Sequence, residues 1–157
     1  MKYESSRKKN KHSSYHSNPC NNMSLNIKII GYIRNDWDQA QPSQADSIMR
    51  SVSTIEVKEE YADGLFKIEK YRELNILWYF DRSEGYEMQT TTRSGDYRGV
   101  FACCSPRRPS AIGLTRVSLL ERNGNILKVT GLDALNGTPV LDIKPSLDLS
   151  PPSKLNS

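Results

Sequence analysis

Histidine is almost missing from this sequence: His12 and His16 are the only two, and both precede the first patterned segment. A Ser/His/Asp or Cys/His hydrolytic constellation therefore has no base available in the body of the chain. The pair is spaced i, i+4, which suits a metal only on a helix, and the surrounding Lys, Asn and Ser residues give no helical pattern. Cysteine is scarce as well. Cys20, Cys103 and Cys104 are odd in number with two adjacent, so they make no disulfide framework and lack the spaced partners of a zinc site. No apolar run approaches the roughly 20 residues a membrane span needs. The opening residues lack the apolar stretch of a secretory leader. The expectation is a cytoplasmic protein without membrane contact. No Gly-x-Gly-x-x-Gly follows a strand pattern, which removes the usual sign of a doubly wound nucleotide-binding fold.

What remains is ordinary: 157 residues, 36% hydrophobic and 25% charged, enough for one domain. The net charge of +4 is local in origin. Residues 1–22 carry five basic residues against Glu4, and the rest of the chain holds 17 basic and 17 acidic residues. That first stretch has too little apolar content to order itself. We expect a disordered basic tail over 1–22, with a basic arm touching RNA as the alternative, and a loose C-terminal tail over 148–157. Within the neutral remainder, Arg93, Arg98, Arg107, Arg108, Arg116, Arg122 and Lys128 face only Asp96 and Glu121. A local basic surface suits a phosphate-bearing partner; the plainer alternative is a set of arginines solvated on alternate strand positions.

The hydrophobic pattern is one of short strands. They are expected at Ile27 to Ile33, Ser53 to Val57, Leu74 to Phe80, Tyr86 to Thr92, Val100 to Cys103, Ile112 to Leu120, Asn125 to Leu132 and Val140 to Ile143. The nearly continuous apolar run from Leu74 to Phe80 reads as a strand buried on both faces. Asn35 to Ser53 reads as a long loop with one helical turn around Asp46 to Met49, Tyr61 to Leu65 as a turn, and Leu65 to Lys70 as a short helix. Asn123-Gly124 between two apolar runs is a strong hairpin signal, because both residues tolerate positive φ. About eight short strands and one or two short helices make an all-β domain. Closure into a single compact barrel over 23–147 would leave no exposed edge.

Two polar loops flank the hairpin. Gly99-Val100-Phe101-Ala102, Ser105-Pro106-Arg107-Arg108-Pro109 and Ile112-Gly113-Leu114 lie upstream. Gly131-Leu132-Asp133-Ala134-Leu135-Asn136-Gly137-Thr138-Pro139-Val140-Leu141-Asp142-Ile143-Lys144-Pro145 lies downstream. In order and spacing, together with Ile30-Gly31-Tyr32-Ile33-Arg34, Tyr61 to Leu65 and the strand Leu74 to Phe80, these residues resemble the TsaA/YaeB/TrmO family across residues 27 to 147. The resemblance implies a β-barrel, S-adenosylmethionine-dependent tRNA methyltransferase acting on N6 of N6-threonylcarbamoyladenosine next to the anticodon, commonly a homodimer with the pocket near the subunit junction. Cofactor contacts would come from Pro42-Ser43-Gln44, from Asp81-Arg82, from Cys104 and Leu114, and from Asp133-Ala134-Leu135-Asn136. Arg107, Arg108 and Lys144 would hold RNA phosphate or the threonyl carboxylate. Asp133 is the candidate for removing the proton, and no metal is implied.

This chain departs from the family pattern at the expected pocket. Cys103-Cys104 stand where the family usually has Thr-Arg, Arg107-Arg108-Pro109-Ser110-Ala111 where it usually has His-Arg-Pro-Asn-Pro, and Asp81 where many members have His. Cys104 cannot supply an arginine's donors. These changes motivate the alternative of a non-catalytic β-barrel that binds S-adenosylmethionine, nucleotide or RNA. From the residues alone, Asp133 and Asp142 could be turn-capping acids, Cys103 and Cys104 small strand-end residues, and Trp78 and Tyr79 core. Tyr86 and Tyr97, near the basic stretch, are better placed to stack on bases.

Overall fold

The computed structural model describes residues 25–39, 45–92 and 94–147. Its strands are β1 (Gly31–Arg34), β2 (Val52–Val57), β3 (Glu73–Tyr79), β4 (Gln89–Thr91), β5 (Tyr97–Gly99), β6 (Ile112–Asn123), β7 (Ile126–Thr130) and β8 (Pro139–Pro145), with one α-helix, α1 (Ala45–Arg50). Six strands close an antiparallel barrel in the order β1-β2-β7-β6-β3-β8, with β8 pairing back onto β1. The expected all-β barrel is therefore present, but β4 and β5 stay out of it as a separate two-stranded sheet.

Alternation along each strand fills the interior. On β3, Leu74, Ile76 and Trp78 are 0%, 0% and 6% exposed, whereas Tyr79 is 41% exposed. The expectation of burial on both faces is thus corrected. A closed barrel has one dry side, and the outward Leu77 lies between Leu114 of β6 and Asp142 of β8. Ile33, Ile55, Val117, Leu127, Val129 and Val140 complete the interior from the other strands.

Two motif glycines are packing requirements. A Cβ on Gly31 would lie 2.3 Å from the Glu56 carbonyl oxygen, so the β1–β2 approach needs glycine there. A Cβ on Gly113 would lie 2.4 Å from the Trp78 ring, which occupies the space above it.

Several strand boundaries differ from expectation. β1 begins only at Gly31, because Ile30 already packs as a lead-in with its N–H donated to Val140 O. The segment Val100–Ala102 is a 3-10 turn, not a strand; Val100 is fully buried and Phe101 is 72% exposed. Tyr86 to Thr92 shortens to Gln89–Thr91, the length over which it pairs with β5. Glu59–Leu65 and Ile68–Lys70 are 3-10 turns where a turn and a short helix were expected. The hairpin turn falls at Gly124 and Asn125, as the Asn123 to Ile126 pairing shows. β6 extends past Leu120 to Asn123 through a register shift near Leu119.

Antiparallel closure has a consequence for the loops. The connections β1 to β2, β3 to β6 and β7 to β8 all emerge at one end of the barrel, and those from β2 to β3 and β6 to β7 at the other. Among the described residues no helix is long and apolar enough to cross a membrane.

Candidate functional site

The segment after β7 builds one wall at the loop-rich end. Leu132 and Ala134 are buried at 0% and 1%. Asp133 between them is turned outward by the same alternation. Its carboxylate is not loose: Oδ1 accepts the Thr115 hydroxyl, and the Thr115 oxygen in turn accepts the Trp78 indole N–H at 3.1 Å.

The rest of this loop is tied to the segment after β1. Asn35 Nδ2 donates to Ala134 O at 3.0 Å and to Ser53 Oγ at 3.1 Å. Asn35 Oδ1 accepts the Trp37 N–H two residues on, an Asx turn. Asn136 N–H donates to Trp37 O at 2.8 Å, and Gly137 N–H to Ile33 O at 2.7 Å. The Asn136 side chain is itself engaged, accepting Asn35 N–H and donating to Asp38 Oδ1, each at 3.4 Å.

From the end of β3 comes Arg82. Its guanidinium donates to the Asn136 carbonyl at 2.5 Å and to the Asp38 carbonyl at 3.4 Å, and it pairs only loosely with Asp81 at 3.9 Å. Arg82 thus crosslinks three chain segments. Asp81 remains half-exposed beside it.

The upstream loop reaches the same end with fewer anchors. Phe80 N–H donates to Ala111 O at 2.8 Å, which fastens the loop next to Asp81. Arg108 donates to the Cys103 carbonyl at 3.2 Å, so this arginine clasps its own loop. Arg107 is exposed, and its side chain makes no hydrogen bond or ion pair among the described residues. Cys103 is half-buried and Cys104 exposed, following a 3-10 turn rather than ending a strand. Ala111 adopts φ +47°, a left-handed conformation unfavourable for a residue with a Cβ.

Of the sequence candidates, Asp81, Arg82, Asp133, Ala134, Leu135 and Asn136 come together here, with the Cys104 and Arg107–Arg108 loop alongside. Two do not join them within one chain. Leu114 points away from the inward Thr115 and is 68% exposed on the barrel's outer face. Lys144 pairs in register with Asn75, four residues before β3 ends at Tyr79, or about 13 Å along the strand at about 3.3 Å per residue. It forms an ion pair with Asp142 at 2.7 Å. Pro42, Ser43 and Gln44 lie outside the described residues, as does the 1–22 tail. Sequence reading missed Asn35 and Thr115. The Asx turn at Asn35 was legible, from an amide placed directly after a strand; Thr115 was not, because its role depends on two partners distant in sequence.

Chemically the wall is rich in acceptors: the Asp133 and Asp81 carboxylates and the carbonyls of the crossing segments. Such a set suits a ligand carrying an ammonium group, hydroxyls or an aromatic amine.

The family model for the tRNA-methyltransferase O N-terminal domain matches residues 32–150. An S-adenosyl-L-methionine-binding protein of Archaeoglobus fulgidus is 39% identical over 120 residues, covering 75% of this chain and 86% of that protein. The tRNA (adenine(37)-N6)-methyltransferase of Rattus norvegicus is 30% identical over 137 residues, covering 80% of this chain and 32% of that enzyme. A crystal structure of TrmO is similar over 86% of this chain and 63% of that one, with a TM-score of 0.68 and 28% identity. The chain spans about a third of the length of the longer curated relatives it matches.

Proposed function

Because the chain belongs to the tRNA-methyltransferase O N-terminal domain family, we propose that it binds S-adenosylmethionine at the Asp133 end of the barrel and methylates N6 of a tRNA adenosine beside the anticodon. The observation that carries this is the convergence of the β1, β3 and β7 loops on one acceptor-rich wall with Asp133 held outward. When bound, the cofactor supplies an activated methyl group on a sulfonium, and what the protein must add is chiefly placement. Asp133 and the backbone of Ala134 to Asn136 would receive the cofactor's donor groups. Asp81 and Arg82 would close one side, and Pro42, Ser43 and Gln44 would add cofactor contacts. Leu135 would give apolar contact, and so would Leu114 where a second copy brings the outer face of one barrel to the pocket of the other. That arrangement goes with the homodimer the reading includes.

The finer substrate in this proposal is N6-threonylcarbamoyladenosine. The N6 hydrogen of a urea-like group is more acidic than that of an adenine amine, so a modest base such as Asp133 suffices to receive it. Arg107 is exposed and would meet an RNA phosphate. Arg108 stiffens the loop that carries it, and Lys144 would meet RNA away from the pocket. Tyr86 and Tyr97, 59% and 68% exposed, offer faces for unpaired bases. A cytoplasmic site of action, and a folded unit over 23–147 flanked by loose ends, belong to the same proposal. A non-catalytic binding barrel is the second reading. Cys104 motivates it, as does the short Archaeoglobus fulgidus relative, which is named for binding alone.

Calorimetric titration with S-adenosylmethionine and S-adenosylhomocysteine tests the first reading directly. Asp133→Asn keeps shape and removes charge. It should weaken both ligands by about 1.5–3 kcal/mol, roughly 10- to 150-fold. No affinity for either ligand at millimolar concentration would remove the methyltransferase reading and leave a barrel that binds nucleotide or RNA. Binding without methyl transfer to tRNA carrying the threonylcarbamoyl group would leave only the second.

A further inference from the structure

Trp78, Thr115 and Asp133 form a hydrogen-bonded chain whose direction is set by chemistry. An indole N–H can only donate, so the Thr115 oxygen that meets it at 3.1 Å is the acceptor. A threonine hydroxyl has one proton, and here it goes to Asp133 Oδ1. The start of this chain is held by packing. Trp78 is 6% exposed, its ring packs edge-on against Phe80 with centroids 4.3 Å apart, and it fills the space that a Cβ on Gly113 would need. The other end is exposed, and Asp133 Oδ2 has no partner among the described residues.

We infer that Thr115 and Trp78 are positioning residues, which lock the Asp133 carboxylate so that one oxygen is occupied by the protein and the other is presented to the ligand. This rests on the reading that Asp133 meets the cofactor. An aspartate on an exposed loop samples several rotamers, and fixing it before binding removes that ordering cost from the binding step. Satisfying the buried indole alone would require only an acceptor at Thr115. A carboxylate at the far end of the chain is not needed for that.

The test is a double-mutant cycle read by S-adenosylhomocysteine affinity, with thermal unfolding followed alongside. Thr115→Val preserves shape and strand preference but removes both hydrogen bonds. Affinity should fall by up to roughly tenfold, the scale of ordering one side chain on binding. Thr115→Ser restores the hydroxyl and should bind within about twofold of the unaltered protein. In an Asp133→Ala background, Thr115→Val should cost nothing further, because its effect passes through the carboxylate. An equal loss from Thr115→Val with and without Asp133 would overturn the inference, and so would no loss in the single variant. If Asp133→Ala itself leaves affinity unchanged, the placement of the cofactor fails and the inference falls with it. A loss in Asp133→Ala without one in Thr115→Val defeats the positioning role alone.

Discussion

The two polar loops that flank the β6–β7 hairpin are built in opposite ways. The downstream loop, Asp133 to Thr138, is buried or half-buried except at Asp133 and is stitched to β1, to the β3 end and to β6 by backbone and side-chain bonds. The upstream loop, Cys103 to Ala111, is mostly exposed, clasped by Arg108 and fastened at Phe80. A loop with its polar groups already satisfied presents fixed atoms, which suits a small ligand of fixed shape. A loop held at few points can follow a flexible polymer, where charge contributes more than fixed geometry.

The comparison breaks most visibly at Asn35, which belongs to neither loop yet holds the downstream one. Asn35→Ala leaves the Ala134 carbonyl and the buried Ser53 hydroxyl without their donor, and should cost about 3 kcal/mol of stability; denaturant unfolding measures it. A cost under about 1 kcal/mol would mean that the downstream loop is no better anchored than its counterpart.

The second test sharpens the view of the upstream loop. Ala111 stands where the resembling family carries proline, yet its φ of +47° is closed to proline and its N–H donates to Arg108 O at 3.1 Å. Ala111→Pro should therefore destabilise, by about 2 kcal/mol, in a thermal melt. A neutral or stabilising result would show that the loop readily adopts the family's backbone instead.

The smallest stability effect is expected at Arg107. Exposed and unpaired among the described residues, it should cost under about 0.5 kcal/mol when changed to Ala. The same change should flatten the salt dependence of tRNA binding by roughly one unit in log–log slope if the side chain meets a phosphate. An unchanged slope would place Arg107 in solvent and leave the comparison resting on stability alone.

Much of the barrel is legible in the sequence. Alternating short strands, the Asn-Gly signal at Asn123-Gly124 and the glycines before Tyr32 and Leu114 determine an all-β chain with a hairpin there, within one residue of the observed Gly124-Asn125 turn, because turn chemistry and strand periodicity act over a few residues. The same local signals misled where an apolar run has two possible readings. Leu74 to Phe80 reads as doubly buried, and Val100 to Cys103 reads as a strand. Only the closed sheet decides which side of β3 is dry, and that Val100 is better buried in a turn. The site divides in the same way. The block from Asp133 to Asn136 marked itself by composition and by resemblance. That Asn35, Arg82 and Thr115 hold it, while Leu114 faces outward and Lys144 lies toward the other end, follows from antiparallel closure. Closure gathers alternate loops at one end and sends neighbouring side chains to opposite faces, and no local stretch of sequence carries that information.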